Sequence, residues 1–153
     1  MADIVSPRVR SRMMSGIKGK NTKPELLVRR ILHAAGFRYR LHNTALPGKP
    51  DIIFPKYRAV ILVHGCFWHG HNCHLFRLPS TRTEFWKKKI VGNTERDRNA
   101  VYSLLEAGWR VGIVWECALK GKHKLQADIT EKALVNWLHG ELPQLEITGT
   151  YRD

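Results

Sequence analysis

The segment from His64 to His74 places the tightest constraint on how this chain can fold. Its eleven residues contain four histidines and two of the chain's three cysteines, with Phe67 and Trp68 between them. Thiolates and imidazoles form the usual ligand set of a closed zinc site, and further histidines beside it could transfer protons near neutral pH. Because the segment is short and contains glycines, it is predicted to be a loop rather than a helix.

Composition indicates one globular domain with a polyanionic partner. The 153 residues include 26 lysines and arginines against 13 acidic residues, a net charge of +13. Nucleic acid is the usual partner of so basic a chain. The alternative is that the chain is basic without binding a polyanion. No apolar run reaches the roughly 20 residues that cross a bilayer, and no signal peptide is expected. We therefore expect a cytoplasmic monomer with no membrane partner, associated with the nucleoid when bound to DNA.

Hydrophobic spacing predicts a mixed α/β domain over residues 22–140. It is preceded by a basic arm (1–21) that is expected to become ordered when it binds its partner, and followed by a loose tail (141–153). One predicted helix begins at Thr22, a second covers 83–107 with an interruption near Gly92, and a third covers 129–138. The predicted strands cover 37–41, 51–54, 59–63 and 109–115, with 51–54 and 59–63 forming a hairpin. The expected fold is a mixed β-sheet flanked by helices.

Three cysteines in a cytosolic chain indicate metal binding or burial rather than disulfides. Cys66, Cys73 and Cys117 are all the thiols present, and a tetrahedral zinc site needs a fourth ligand. His71 is the best candidate, because it lies between Cys66 and Cys73 in a loop that can wrap one ion. The histidines that compete with it on spacing alone are His69 and His74. Buried free cysteines with solvent-facing histidines are the alternative to a structural zinc site.

Three carboxylates are candidates for chemistry, and each also has an ordinary explanation. Asp51 opens a predicted strand and could hold a divalent cation near the end of the next strand, or it could be a turn residue. Glu25 fits the glutamate of a helix capping box. Asp97 fits a solvated helical face, but it could also orient a histidine and stabilise its charged form.

Two aromatic pairs, Phe67-Trp68 and Phe85-Trp86, are interleaved with histidine, lysine and arginine. This arrangement favours base stacking or insertion into a duplex. Core packing is the alternative, and it is favoured for Phe85.

Six strings spread over about residues 10 to 125 are specific enough to indicate a family. They are Arg10-Ser11 with Met14, Ile17, Thr22 and Glu25; Leu46-Pro47-Gly48 with Pro50-Asp51; His64 to His69; Thr81 to Trp86; Asn93 with Glu95 to Asp97; and Gly108 to Val111 with Glu116 to Leu119. In these strings the chain resembles the very-short-patch-repair (Vsr) DNA mismatch endonucleases. The resemblance implies a restriction-endonuclease-like fold, and a nick 5′ to the thymine of a T·G mismatch that arises when 5-methylcytosine deaminates.

The resemblance also implies a catalytic Mg²⁺ and a structural Zn²⁺. It assigns Mg²⁺ to Asp51 and the role of general base to His69, with Glu25 close to His69 and orienting it. His64 with Asp97 would act on the scissile phosphate. The implied zinc ligands are Cys66, His71, Cys73 and Cys117.

One departure from the usual endonuclease pattern of this fold concerns the second metal ligand. The strand after Asp51 ends Leu62-Val63-His64 without a carboxylate. The backbone carbonyl of Val63 is therefore expected to be the second protein ligand of Mg²⁺. Family members can carry threonine at this position, which suits a site where the side chain is not the ligand.

The resemblance assigns DNA contacts to three groups of residues. Phe67, Trp68 and Trp86 would wedge into the duplex next to the mismatch. Met14 would insert from the opposite groove, and Ile17 would be a further DNA-binding residue of the arm. Lys89 and Asn93 would contact the mismatched bases.

The implied partner is double-stranded DNA with a T·G mismatch. A mismatch-repair matchmaker protein is a candidate second partner. One alternative is a nuclease of the same fold with another DNA target. Another is a zinc-stabilised DNA-binding module without catalysis, which would leave Asp51 and the additional histidines unexplained.

Overall fold

Five β-strands and four α-helices form the described part of the chain, residues 21–150 of a computed structural model. The helices are α1 (Lys23–Ala34), α2 (Thr83–Glu106), α3 (Glu116–Leu119) and α4 (Ala127–His139). The strands are β1 (Arg40–Leu41), β2 (Ile52–Phe54), β3 (Ala59–His64), β4 (Arg110–Trp115) and β5 (Gln144–Ile147). A 3₁₀ turn, Pro55–Tyr57, joins β2 to β3. The predicted arm, with Met14 and Ile17, lies outside the described residues apart from Asn21.

The strands form one mixed sheet in the order β1-β2-β3-β4-β5. The first three strands are antiparallel neighbours, and the predicted hairpin is confirmed by the pairing of Ile52 with Ile61 and of Phe54 with Ala59. Strands β3, β4 and β5 run parallel to one another. The predicted mixed sheet flanked by helices is therefore confirmed.

Helices cover both faces of the sheet, so its central strands are apolar on both sides. On one face, α1 and α4 bury Leu32 and Leu134 against Ile52 and Ile61. On the other face, the C-terminal part of α2 buries Leu104 against a second set of strand residues. Adjacent residues of one strand, such as Ile52 and Ile53, belong to opposite cores because side chains alternate across a sheet.

The described part of the predicted tail, residues 141–150, is not loose as expected. Residues 144–147 form β5, and Ile147, at 5% exposure, pairs with Val114 and packs in the core of the α1–α4 face. The turn before β5 is held by the Trp137 indole, whose Nε1 donates to the Leu142 carbonyl at 2.9 Å. Because β4 would otherwise expose its ladder groups at an edge, pairing orders this short, polar-looking segment.

Two other predicted boundaries were wrong. Helix α2 is continuous from Thr83 to Glu106 and passes through Gly92 without interruption. The first strand is only Arg40–Leu41, because Phe37 is buried among the rings of Phe54 and Tyr57 instead of pairing in the sheet.

Strand directions bring three chain segments to one edge of the sheet. The C-terminal ends of β3 and β4 meet there because these strands are parallel, with His64 opposite Trp115. The start of β2 lies at the same edge because β2 is antiparallel to β3. The histidine–cysteine loop after β3, the segment after β4 and Asp51 before β2 therefore converge. Among the described residues, none of the helices is both long and apolar enough to cross a membrane.

Candidate functional site

Three groups of potential metal-ligating side chains lie at this edge, within the described part of the chain. In each group the ligand atoms are all within 4.8 Å of one another. The groups are Cys66, His71, Cys73 and Cys117; His64, His69 and Asp97; and Glu25, His42 and Asp51.

The first group, here called the cysteine cluster, has the four members predicted from the sequence. Nδ1 of His71 lies 3.5 Å from the sulfurs of both Cys66 and Cys117, and the His71 ring stacks on Trp115 at 4.1 Å. The backbone wraps around the cluster, since His71 N–H donates to the Cys66 carbonyl and Cys73 N–H to the His71 carbonyl, both at 2.9 Å. Three sulfurs and one imidazole nitrogen suit a tetrahedral zinc ion.

The competing histidines have other partners. His69 bonds to Asp97, and the ring of His74 lies 4.6 Å from that of His123. Burial raises the pKa of the Cys66 and Cys117 thiols, and the neighbouring cysteines add to this effect. Thiolates packed this closely need a cation to offset their charge, which is a second reason why the donor set fits a metal ion.

The second group centres on His69, which lies in the loop after β3. Its Nδ1 is 2.5 Å from Oδ2 of Asp97, a residue of α2. With Nδ1–H donated to the carboxylate, Nε2 carries the lone pair that can accept a proton. Glu25 was expected to orient His69, but in the structure Asp97 binds the His69 ring and Glu25 binds another histidine.

The His64 ring stacks face to face on His69, with centroids 3.8 Å apart and planes 6° from parallel. Burial, together with the neighbouring His69, lowers the pKa of His64 to about 3. His64 Nδ1 has no hydrogen-bond partner among the described residues. A neutral His64 can lie against a charged His69 without a like-charge repulsion.

The third group surrounds Asp51, immediately before β2. Burial raises the pKa of Asp51 to about 7, and the Glu25 carboxylate beside it contributes, while a hydrogen bond from Val63 opposes the shift. Val63 N–H donates to Oδ2 of Asp51 at 2.8 Å. In a strand the N–H and C=O of one residue face the same neighbour, so the Val63 carbonyl also faces Asp51. A buried carboxylate and a carbonyl on one side suit a hard divalent cation.

Glu25 is almost completely buried, at 1% exposure, in the first turns of α1. Its backbone N–H donates to the capping oxygen Oγ1 of Thr22 at 3.4 Å, as predicted for a helix start. Its carboxylate, however, binds His42 Nε2 at 2.7 Å, and Arg29 lies 3.4 Å from the same oxygen. His42 was missed in the sequence analysis, and only the pairing of β1 with β2 could have indicated it.

A cleft of about 690 Å³ connects the catalytic candidates with the aromatic loop. Its lining includes Glu25, Asp51, Val63, His69, Phe67, Trp68, Lys89 and Asn93. Acidic, basic and aromatic candidates therefore face one open space, where a single ligand could contact all of them.

The aromatic residues do not all lie as predicted. Phe67, Trp68 and Trp86 contact one another edge to face, with centroids 5.1 to 5.9 Å apart. Trp86 is buried at 5% exposure, whereas Phe85, predicted to pack in the core, is 45% exposed with the Arg82 guanidinium 4.4 Å from its ring centroid. Trp86 is therefore the buried ring of this group, and Phe67 and Trp68 of the loop pack against it.

Asn93, expected to contact bases, is engaged within the protein. Its Nδ2 donates to the Trp68 carbonyl at 2.9 Å, and its Oδ1 accepts from Arg96. Lys89 lines the cleft one helical turn away. Asn93 thus ties α2 to the loop that carries Trp68.

Comparison with known proteins gives consistent matches. The sequence model of the family described as DNA mismatch endonuclease Vsr matches residues 2–75. The chain is 46% identical over 141 residues to DNA mismatch endonuclease Vsr of Escherichia coli, covering 92% of this chain and 90% of that protein. It is 47% identical over 127 residues to the type II nicking enzyme V.XorIIP of Xanthomonas oryzae pv. oryzae, covering 83% and 93%. It is 34% identical over 135 residues to V.HpaIIP of Haemophilus parainfluenzae, covering 86% and 95%. With identity of this extent over most of its length, and with Asp51, His69 and Trp68 lining one cleft, the chain belongs to the Vsr DNA mismatch endonuclease family.

Proposed function

We propose that this DNA endonuclease of the Vsr family nicks DNA 5′ to the thymine of a T·G mismatch produced by deamination of 5-methylcytosine. The observation that carries the proposal is one cleft lined by Asp51, His69, Phe67 and Trp68, with His69 bonded to Asp97. Such a cleft offers a cation ligand, a general base and stacking rings to one DNA segment. The net charge of +13 favours a polyanionic substrate.

In the proposed reaction, His69 accepts a proton from the attacking water through Nε2. Asp97 keeps Nδ1 protonated and stabilises the imidazolium that forms. His64 stays neutral against the ring and presents a nitrogen to the phosphate side of the site. When bound at Asp51 and the Val63 carbonyl, Mg²⁺ would supply Lewis-acid stabilisation of the phosphate and leaving oxygen.

Mismatch selectivity is proposed to come from the aromatic loop. Insertion of Phe67 and Trp68 costs about a few kcal/mol of unstacking per step, and the cost is lowest at a mispaired base. The proximity of Lys89 to the loop supports its proposed contact with the mismatched pair. Asn93 would first have to leave the Trp68 carbonyl, which would couple base contact to movement of the loop.

We further propose that the cysteine cluster holds a structural Zn²⁺, since four protein ligands leave no open position. The mixed sheet supports assignment to the restriction-endonuclease-like fold. The arm (1–21), with Met14 and Ile17, is proposed to contact DNA from the opposite groove, and the enzyme is proposed to act as a monomer. A mismatch-repair matchmaker protein remains a candidate second partner.

The test is a strand-resolved nicking assay. Zinc-loaded protein and Mg²⁺ are incubated with a duplex bearing one T·G mismatch in a CC(A/T)GG-type context, beside the matched C·G duplex. The expected result is one Mg²⁺-dependent nick 5′ to the mismatched thymine only. Asp51→Asn and His69→Ala should keep DNA binding and lose nicking, by about 10²–10⁴-fold for the base.

Other outcomes would overturn the proposal in different ways. Equal cutting of both duplexes would indicate a nuclease with another DNA target. Binding to both without any nick, under several divalent metals, would indicate a DNA-binding module. A normal rate for His69→Ala would remove His69 from the role of base.

A further inference from the structure

The Glu25–His42–Asp51 group has a feature that the proposed magnesium site does not require, an imidazole nitrogen. His42 Nε2 lies 2.7 Å from Oε2 of Glu25. The ligand atoms of all three residues are within 4.8 Å of one another. Magnesium takes oxygen ligands and rarely needs nitrogen, so this histidine calls for a separate explanation.

The position of His42 is set by the sheet. Strand β1 pairs with β2 through Leu41 and Ile52, and the next pair along is His42 opposite Asp51, where His42 N–H donates to the Asp51 carbonyl at 3.1 Å. Side chains of directly opposed residues lie on the same face of a sheet. His42 and Asp51 are therefore neighbours just beyond the paired strand residues, and both side chains reach Glu25 of α1, with their ligand atoms within 4.8 Å of its carboxylate.

The backbone of His42 is left-handed, with φ +51°. This conformation is uncommon outside glycine, although histidine adopts it more readily than most residues. It turns the chain immediately after β1 and directs the imidazole back to the buried Glu25. A strained position kept by surrounding structure often marks a functional site.

We propose that Glu25, His42 and Asp51 form a second divalent-cation site, selective for a transition metal such as Mn²⁺, that shares Asp51 with the magnesium site. Ligand atoms about 2.1 Å from one ion lie about 3 Å apart when their bonds are at right angles, close to the observed Glu25–His42 separation. An imidazole among the ligands favours a transition metal over Mg²⁺, and the two carboxylates suit Mn²⁺. Adjacent cations that share a carboxylate are common in phosphodiester hydrolysis.

The surrounding contacts hold the three ligands in place. Asn21 N–H donates to Oε1 of Glu25 at 3.1 Å, and Arg29 Nη1 lies 3.4 Å from Oε2. Val63 N–H takes up one of the two oxygens of Asp51. When Asp51 is ionised and His42 is neutral, two carboxylates face the one guanidinium of Arg29, and a divalent cation can offset the excess negative charge. The alternative is that His42 only positions Glu25 through a hydrogen bond.

The test uses Mn²⁺ bound to zinc-loaded protein without DNA, observed by electron spin echo envelope modulation. Modulation from a directly coordinated imidazole nitrogen is expected in the wild type and absent in His42→Gln, whose amide can still bond to Glu25. His33→Gln, the same change at an exposed histidine of α1, is the matched control and should keep the signal. Absence of the signal in the wild type would leave only the positioning role.

A titration provides the second measurement. Loss of a residue that only supports a metal ligand lowers metal affinity about 10–100-fold, and loss of a ligand itself should cost no less. His42→Gln should therefore weaken Mn²⁺ binding at least about tenfold. Its Mg²⁺ affinity should stay within about twofold, because the oxygen ligands remain. Equal loss of both metals, or a nitrogen signal that persists in His42→Gln, would overturn the proposal.

This inference rests on the proposed function only through the shared Asp51. The spectroscopy needs neither DNA nor nicking. A nitrogen-bound Mn²⁺ in a protein that fails to nick T·G duplexes would refute the proposed function and keep the second site. Nicking of T·G duplexes by a protein without that signal would support the proposed function and refute the second site.

Discussion

The His69 ring is held on two sides, and each contact has a different chemical consequence. Asp97 bonds to Nδ1 at 2.5 Å, which sets the tautomer and leaves Nε2 as the proton acceptor. His64 stacks on the ring face at 3.8 Å, and its pKa, lowered to about 3 by burial, keeps it neutral. His69 is therefore fixed in orientation. When it accepts a proton, only one of the two stacked rings carries a positive charge, because His64 stays neutral.

Asp97→Asn should reduce nicking about 10²–10⁴-fold, because an amide neither enforces the His69 tautomer nor stabilises the imidazolium. The measurement is single-turnover nicking of a T·G duplex over a range of Mg²⁺ concentrations. Glu25→Gln is the comparison, since Glu25 lies beside Asp51 and its defect should shrink as Mg²⁺ is raised. If Asp97→Asn nicks at the wild-type rate, Asp97 is not the positioning residue of His69.

The raised pKa of Asp51 predicts how cation binding depends on pH. Burial raises this pKa from 3.8 to about 7, so below neutrality the carboxyl holds a proton that a cation must displace. The apparent Mg²⁺ affinity should rise with pH up to about 7 and fall by up to about tenfold for each pH unit below it. Calorimetric Mg²⁺ titrations between about pH 5.5 and 8 would measure this. A constant affinity across the range would show that Asp51 is ionised throughout.

Helix α2 and the loop after β3 form one functional unit. The helix supplies Asp97 to His69 and Asn93 to the Trp68 carbonyl. Their separation is set at Gly70, which has φ +62°, and where a Cβ would lie 2.8 Å from Cγ2 of Ile90 on α2. Any side chain at position 70 would push the loop away from the helix.

Gly70→Ala should therefore destabilise the fold and weaken nicking together. The left-handed backbone costs about 1 kcal/mol for alanine, and the contact with Ile90 adds about 1–3 kcal/mol of overpacking. Gly36→Ala is the matched control, because Gly36 has φ +96° but nothing within 4 Å of its Cβ position. Urea unfolding and nicking rates would be compared, and equal losses of stability in the two variants would rule out the close approach at Ile90.

Local patterns predicted the elements whose signals lie within the chain segment itself. The hairpin from 51 to 63 followed from two short apolar runs, and the start of α1 followed from Thr22, Pro24 and Glu25. The four members of the cysteine cluster also followed from spacing and from the family resemblance, and the structure brings them together.

The features that were missed depend on distant partners. The four residues of β5 become a strand because β4, about 30 residues earlier, offers an open edge. Phe85 and Trp86 are neighbours on α2, and the rotation of the helix, which is set by tertiary packing, decides which one is buried. His42 reaches Glu25 only because of the register of β1 on β2, and no local pattern specifies that register.

Across the whole molecule, the cysteine cluster ties together parts of the chain that are distant in sequence. Cys66, His71 and Cys73 come from the loop after β3, and Cys117 from α3 after β4. Gly149, beyond β5, donates its N–H to the Cys117 sulfur at 3.3 Å. The same loop carries Trp68 and His69, so the cluster supports both the ends of the parallel strands and the cleft that these two residues line.

Removal of the proposed zinc ion should consequently lower stability and nicking in parallel. A zinc-selective chelator, with Mg²⁺ in excess, is expected to remove about 3 kcal/mol or more of folding free energy and to lower Tm by roughly 6–12 °C. Added Zn²⁺ should restore both properties, whereas more Mg²⁺ should not. Cys73→Ala should reproduce the loss without chelator, while His74→Ala, the adjacent residue outside the cluster, should unfold near the wild-type temperature. A chelated protein with unchanged Tm and nicking rate would show that the cluster needs no metal to hold the strand ends and the cleft in place.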